Sequence, residues 1–175
     1  MRLDATTAEC LVFTRAEGVL SAFAHDLKLR VETFTLAIDE VTGAVAAELD
    51  AASLRVVCAM RGDDEAPDLL GTSDRETIAA TIRDVLEVTR HPTIRFHSST
   101  PPEPDARDGG LRIAGRLELH GMVRDVAIHA FRQGGRYVGE TTLHKPDFGI
   151  RPYSAMLGAL RVAADVRVRI AIPLS

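Results

Sequence analysis

The chain reads as an all-β protein with one amphipathic helix, a barrel or sandwich of antiparallel strands whose open end the helix closes. Three observations carry that reading. Apolar and polar residues alternate with period two over most of the chain, glycine-bearing turns separate the alternating runs, and a single segment changes to the helical period.

The first runs are residues 10–14 and a strand in which Phe23, His25, Leu27, Leu29 and Val31 alternate with Ala24, Asp26, Lys28 and Arg30. Residues 34–38 and 44–49 follow, and Thr42-Gly43 closes them into a hairpin, with glycine supplying the positive φ of a tight turn. Residues 54–57 form the next short strand. Beyond Asp74, Ile78, Ile82, Val85 and Leu86 fall at i, i+4, i+7 and i+8, on one face of a helix. Ser73 followed by Glu76 has the form of a capping box, and Arg90-His91-Pro92 is expected to end the helix, because proline disfavours helical geometry in the preceding residue.

Residues 93–98 return to strand. Residues 99–110, with Pro101, Pro102, Pro104 and Gly109-Gly110, form a long polar hairpin loop. Leu111, Ile113, Gly115, Leu117 and Leu119 then alternate with Arg112, Ala114, Arg116, Glu118 and His120. Residues 123–132 and 137–143 flank Gly134-Gly135. The last run sets Val162, Ala164, Val166, Val168, Ile170 and Ile172 against Arg161, Asp165, Arg167 and Arg169, a long strand with a charged outer face. The total is about eight to ten strands, with sequence neighbours paired antiparallel.

The 175 residues suit one domain, residues 1–175, and 46% hydrophobic with 26% charged content excludes disorder of the whole. A net charge of −4 is the wrong sign for a nucleic-acid partner. No stretch approaches a transmembrane helix, and the acidic first residues lack the basic start and apolar run of a secretion signal, so a cytoplasmic location is expected. Cys10 and Cys58 form no CxxC motif and allow one bridge at most. Aromatics make up only 5% with no Trp, against 24 alanines, so the apolar content is small and aliphatic.

Four segments carry a family resemblance: Ser21-Ala22-Phe23-Ala24-His25-Asp26-Leu27, His91-Pro92-Thr93-Ile94-Arg95-Phe96-His97-Ser98-Ser99, Gly115-Arg116-Leu117-Glu118-Leu119-His120-Gly121-Met122-Val123-Arg124 and Asp147-Phe148-Gly149-Ile150. In order and spacing they resemble the landmarks of the bacterial YceI-like family over nearly the whole chain. The resemblance implies an eight-stranded antiparallel lipocalin-like β-barrel. Its elongated apolar interior would hold a polyisoprenoid or another long-chain amphiphile, often in a homodimer. Two features depart from the family: the absent secretion signal, and a blurred "G-x-F" pair after the first long strand that leaves only Phe34.

On this reading Phe23, Leu27, Phe96, Leu117, Leu119 and Phe148 wall the cavity, and His25 contacts the ligand head or bonds within the core. Small inward residues, Ala164, Gly115 and Ser98, leave room inside. Lys145, Arg151 and Arg161 bracket Asp147-Phe148-Gly149-Ile150 and offer cations to an anionic head or form a solvated rim. Arg161, Arg167 and Arg169 could pair with a second copy or lie in solvent.

His120-Gly121 with Arg124-Asp125 invites an acid–base reading, but His120 falls on the charged face of its strand and Gly121 marks a turn or bulge. The six histidines show no HxH or HExxH spacing, so no metal site is expected. No cofactor and no catalytic constellation emerge, since Gly71-Thr72-Ser73 serves as a helix cap and not as a nucleophile elbow. The leading reading is a protein that sequesters a long apolar amphiphile: a polyisoprenoid, a quinone tail or a fatty amide. Its rivals are a small enzyme using His25 or His120 as general base, and an interaction protein whose barrel is filled by its own side chains.

Overall fold

A computed structural model describes residues 1–17, 25–105, 109–155 and 160–174. Its strands, in chain order, are β1 (Arg2–Asp4), β2 (Glu9–Thr14), β3 (Ala16–Glu17), β4 (Asp26–Val31), β5 (Phe34–Ile38), β6 (Val45–Asp50), β7 (Leu54–Arg61) and β8 (Asp64–Ala66). After helix α1 (Thr72–Val85) come β9 (Thr93–Ser98), β10 (Glu103–Pro104), β11 (Leu111–Leu119), β12 (Met122–Gln133), β13 (Arg136–His144), β14 (Ser154–Ala155), β15 (Leu160–Val162) and β16 (Asp165–Pro173). The main sheet runs β1-β5-β6-β9-β11-β12-β13-β16-β2-β4-β7-β8, with β10 on β11, and β14-β15-β3 form a second small sheet. Every pairing is antiparallel.

The strand order forces the sheet to curl. β4 and β5 follow one another in the chain yet lie towards opposite ends of the sheet, and so do β6 and β7. The two ends must therefore meet where the chain passes from one strand to the next, and the sheet rolls into a lipocalin-like barrel. Ser53, 6% exposed, fastens this corner. Its Oγ accepts from Thr33 N at 3.0 Å and donates to Asp50 O at 2.7 Å, while Glu32 N donates to Ser53 O and Asp50 N to Thr33 O. Pro92 O receives Ala51 N and ties the corner to the start of β9.

Period-two alternation holds along β5, β6, β9 and β11, whereas Cys10-Leu11 on β2, Cys58-Ala59 on β7 and Ala171-Ile172 on β16 are buried at adjacent positions. Arg95, Glu48 and Glu118 meet outside, and Leu49, Ala47, Phe96 and Leu117 face in. The observed strand count exceeds eight because several long strands are interrupted. The last strand is one such case. β15 ends at Val162 in the small sheet, Ala163 N donates to Arg15 O, and Lys145 N donates to Ala164 O, so the chain changes sheets before β16 begins. Ala164 is thus a half-buried residue at a bend and not part of a continuous inward row.

The helix differs in its ends. Gly71 is its N-cap, and Asp74 Oδ2 accepts from Gly71 N at 3.0 Å, so Ser73 lies inside the first turn and no Ser73–Glu76 box forms. The helix stops at Val85, well before Pro92. Glu87 takes the left-handed φ of 47°, and Arg90 N and His91 N both donate to Glu87 O in a further turn. Ile78, Ile82, Val85 and Leu86 pack on the core as the periodicity requires. In the polar connection, β10 adds to β11, and buried Asp105 donates its backbone N–H to Gly110 O at 2.8 Å, accepts from Gly109 N at its own backbone O, and sets its carboxylate Oδ2 3.1 Å from His129 Nδ1.

Cys10 and Cys58 are both buried and free. Burial, with Glu9 nearby, pushes the Cys10 thiol up to about 12, and burial with Glu65 raises Cys58 as well. At pH 8 a thiol with that pKa is ionised to about one part in 10⁴. In folded protein neither cysteine should react with a disulfide reagent at pH 8 on the timescale of a free thiol, and both should react in denaturant. A fast native reaction at Cys10 would contradict the burial. Ser53→Ala should destabilise the protein by about 1–3 kcal/mol in urea unfolding, since it strands the Thr33 amide at the barrel corner.

Candidate ligand-binding site

Burial divides the inward faces into two halves. Phe34, Leu36, Ala47, Leu49, Phe96 and Leu117 are closely packed with Phe148 and Ile150. The residue Gly115 was expected to leave space in this half, but a Cβ there would lie 2.4 Å from Phe96 Cζ and 2.5 Å from His97 O. The Phe96 ring occupies the place of the missing side chain. Ser98 is likewise engaged, its Oγ accepting from Val45 N at 2.9 Å where β6 and β9 part.

The other half is less evenly covered, with Cys10, Leu29, Leu143 and Ile172 buried but their neighbours on the same face less so. Val12 on β2, Leu27 on β4, Ile113 on β11, Val126 and Ile128 on β12, and Val166, Val168 and Ile170 on β16 all share the inward face by register, yet each keeps part of its surface accessible. These aliphatic side chains pack against the core cluster without being fully covered by it.

A cleft opens beside this half because two strands diverge. β12 and β13 pair only from His129↔Glu140 to Gln133↔Arg136. Beyond that point β12 continues with β11 alone and β13 with β16 alone. Thr141 Oγ1 donates to Ala127 O at 2.9 Å, a side-chain bond where the ladder stops. A groove of about 510 Å³ lies there, lined by Arg112, Ala127, Ile128, His129, Glu140, Thr141, Thr142 and Arg167. Register sets Arg112, His129, Glu140 and Arg167 on the outer face and Ile128 and Thr141 on the inner, so the groove reaches across the sheet. Glu140 also holds Arg169 at 3.3 Å, and Arg167 stacks on Phe13 at 4.6 Å, so these outer arginines are engaged within the chain.

The sequence-derived wall residues separate accordingly. Phe96, Leu117 and Phe148 belong to the packed half, and Leu27 and Leu119 are partly accessible. His25 directly precedes β4 and is half-buried, and Phe23 lies outside the described residues. Arg151 and Arg161 are exposed, whereas Lys145 is partly buried and its ammonium is pulled below its ordinary value by desolvation, against the opposing charges of Glu17 and Asp165. The groove residues on β12 and β13 escaped sequence reasoning, because a break in pairing inside two continuous alternating runs leaves no mark in their periodicity.

His120 does not lie on the outer face of β11. With φ of 54°, followed by Gly121 at 72°, it forms the β11–β12 turn that Gly121 announced. Its Nδ1 lies 3.1 Å from Phe148 O, and its ring is 4.7 Å from that of His91. Glu87 Oε1 is 3.9 Å from His120 Nε2, and Glu87 Oε2 is 4.0 Å from His91 Nε2.

Comparison with known proteins agrees with this architecture. At 13% identity, the crystal structure of BcnA from Burkholderia cenocepacia superposes with a TM-score of 0.62, covering 97% of this chain and 98% of that one. The crystal structure of the YceI protein of Campylobacter jejuni superposes with a TM-score of 0.58 at 12% identity, over 83% and 82%. No curated protein matches the chain. The YceI-like domain model matches residues 3–174, and the chain belongs to that family.

Proposed function

We propose that the chain, as one barrel domain, binds a long apolar amphiphile, with the hydrocarbon in the loosely filled half and the polar head at the β12–β13 cleft. A polyisoprenoid, a quinone tail and a fatty amide all fit this description. The observation that carries it is the row of inward aliphatic residues, Val12, Val166, Val168 and Ile170, that remain partly accessible beside the cleft. Burial supplies the affinity. Each sequestered methylene contributes about 0.8 kcal/mol, so a long tail binds firmly with few polar contacts. Leu27 and Leu119 extend the apolar wall, with Phe96, Leu117 and Phe148 as its floor. His25, directly before β4, and Ala164, at the bend before β16, flank this wall. Arg112, Arg167 and His129 supply the cations and donors that a head group would meet at the outer lip of the groove. The proposal includes a homodimer, as the family resemblance suggests, which light scattering reads directly.

Organic extraction and native mass spectrometry of freshly purified protein should release a hydrophobic small molecule, and a fluorescent polyisoprenoid probe should bind with one site per barrel. Val168→Phe should weaken probe binding by about tenfold or more, with urea unfolding shifted by less than about 1 kcal/mol, because the added ring enters free space. A drop of about 1–3 kcal/mol would mean that the space is already packed. That result, or no extractable ligand together with no probe binding, would remove the proposal in favour of a barrel filled by its own side chains.

A further inference from the structure

The turn that ends α1 and the turn that joins β11 to β12 bring together Glu87, His91 and His120, whose ligating atoms all lie within 4.8 Å of one another. We propose that these three side chains form a binding site for a divalent transition-metal ion such as Zn²⁺. The site stands apart from the β12–β13 cleft, and its failure would leave the amphiphile reading untouched.

The argument begins with proton placement. A carbonyl oxygen can only accept, so the contact between His120 Nδ1 and Phe148 O requires the proton on Nδ1. In the neutral ring Nε2 then carries a lone pair. That atom is buried and has no hydrogen-bond partner, and the nearest charged group is the Glu87 carboxylate at 3.9 Å. A lone pair aimed at a carboxylate is unfavourable unless a cation lies between them. A histidine whose far nitrogen donates to a backbone carbonyl while the near one points at a carboxylate and a second imidazole has the outer-shell arrangement typical of metal-bound histidine.

The backbone supports the same convergence. Glu87 and His91 are four apart on one turn, with His91 N donating to Glu87 O at 2.9 Å, so their side chains share a face. Glu87 and His120 are the two non-glycine residues with positive φ among those described. The His91 ring lies where a Cβ on Gly121 would sit, 2.7 Å from His91 Cε1, so only glycine lets the β11–β12 turn approach this closely.

The dimensions suit a small contraction. Ligands at about 2.0–2.2 Å from a tetrahedral zinc are about 3.3 Å apart, against 3.9 and 4.0 Å from the two Glu87 oxygens to the histidines and at most 4.8 Å within the whole set. The Glu87 side chain is half-exposed and can close that gap. Its competitor is Arg90, whose Nη1 lies 3.6 Å from Glu87 Oε2 but whose side chain is 78% exposed and free to turn away. Two imidazoles and one carboxylate favour zinc, cobalt, nickel or ferrous iron over calcium or magnesium. Three protein ligands leave a position for water, and of the three Glu87 also lines a hollow of about 340 Å³ together with Arg83, Asp84 and Arg90.

Chelator-treated protein titrated with Zn²⁺ alone should bind one equivalent by calorimetry, and Co²⁺ should bind with visible ligand-field bands. Glu87→Gln, His91→Asn and His120→Gln should each weaken Zn²⁺ binding at least tenfold and abolish the rise in Tm that Zn²⁺ produces in the parent. His97→Asn, which removes an exposed histidine on β9, should change neither. If His120→Gln fails to fold because its contact to Phe148 is lost, Glu87→Gln and His91→Asn decide the matter. Absence of one-equivalent binding in the parent, or undiminished binding in folded His91→Asn and Glu87→Gln, would overturn the proposal.

Discussion

The barrel depends on one corner. A twisted antiparallel sheet has two free ends, and nothing in strand pairing alone tells them to meet. Here two successive stretches of chain, residues 26–38 and 45–61, each begin near one end of the sheet and finish near the other. Both turn at the same place, and the buried hydroxyl of Ser53 satisfies the amide and carbonyl that the turn removes from the ladders. Strand order, curvature and the inward direction of every alternating residue follow from that fastening. The connection of Pro92 O to Ala51 N also fixes where β9 enters, and with it the close contact of Phe96 with Gly115.

Closing the sheet creates an interior that the side chains fill unevenly. On β5, β6, β9 and the adjoining part of β11, Phe34 faces Leu49, Leu36 and Phe96 flank Ala47, and Phe148 and Ile150 enter from the segment after β13. On β12 and β16 the inward residues Val126, Ile128, Val166, Val168 and Ile170 are β-branched aliphatics, and β13 sets Gly139 and Thr141 opposite Ile170 and Val168.

The alternating runs could be read from the sequence because burial on one face of a strand imposes period two directly on residue type. Leu111–Leu119, Phe34–Ile38 and Thr93–Ser98 coincide with observed strands for that reason. The corner could not be read, since Glu32, Thr33 and residues 50–53 include neither Gly nor Pro, and their hydrogen bonds join positions 20 apart in the chain. The break at Ala163–Ala164 was equally silent, because two alanines fit a strand and a bend alike. At the proposed metal cluster, Glu87 and His91 are local, but His120 arrives from another turn. Spacing motifs record ligands on one element, and this constellation exists only after α1 and the β11–β12 turn have met.

The single bond from Thr141 to Ala127 has a dynamic consequence. An ordinary ladder between β12 and β13 would require several backbone bonds to break together before the wall could part. Here the Thr141 hydroxyl, worth about 0.5–1.5 kcal/mol, bridges the cleft side of the wall, while β12 and β13 each stay bonded to their outer neighbours. Parting of the two strands on the cleft side of the His129↔Glu140 pair therefore breaks no ladder bond, a local opening that leaves their shared ladder in place. The barrel possesses a seam that can yield sideways without losing its fold.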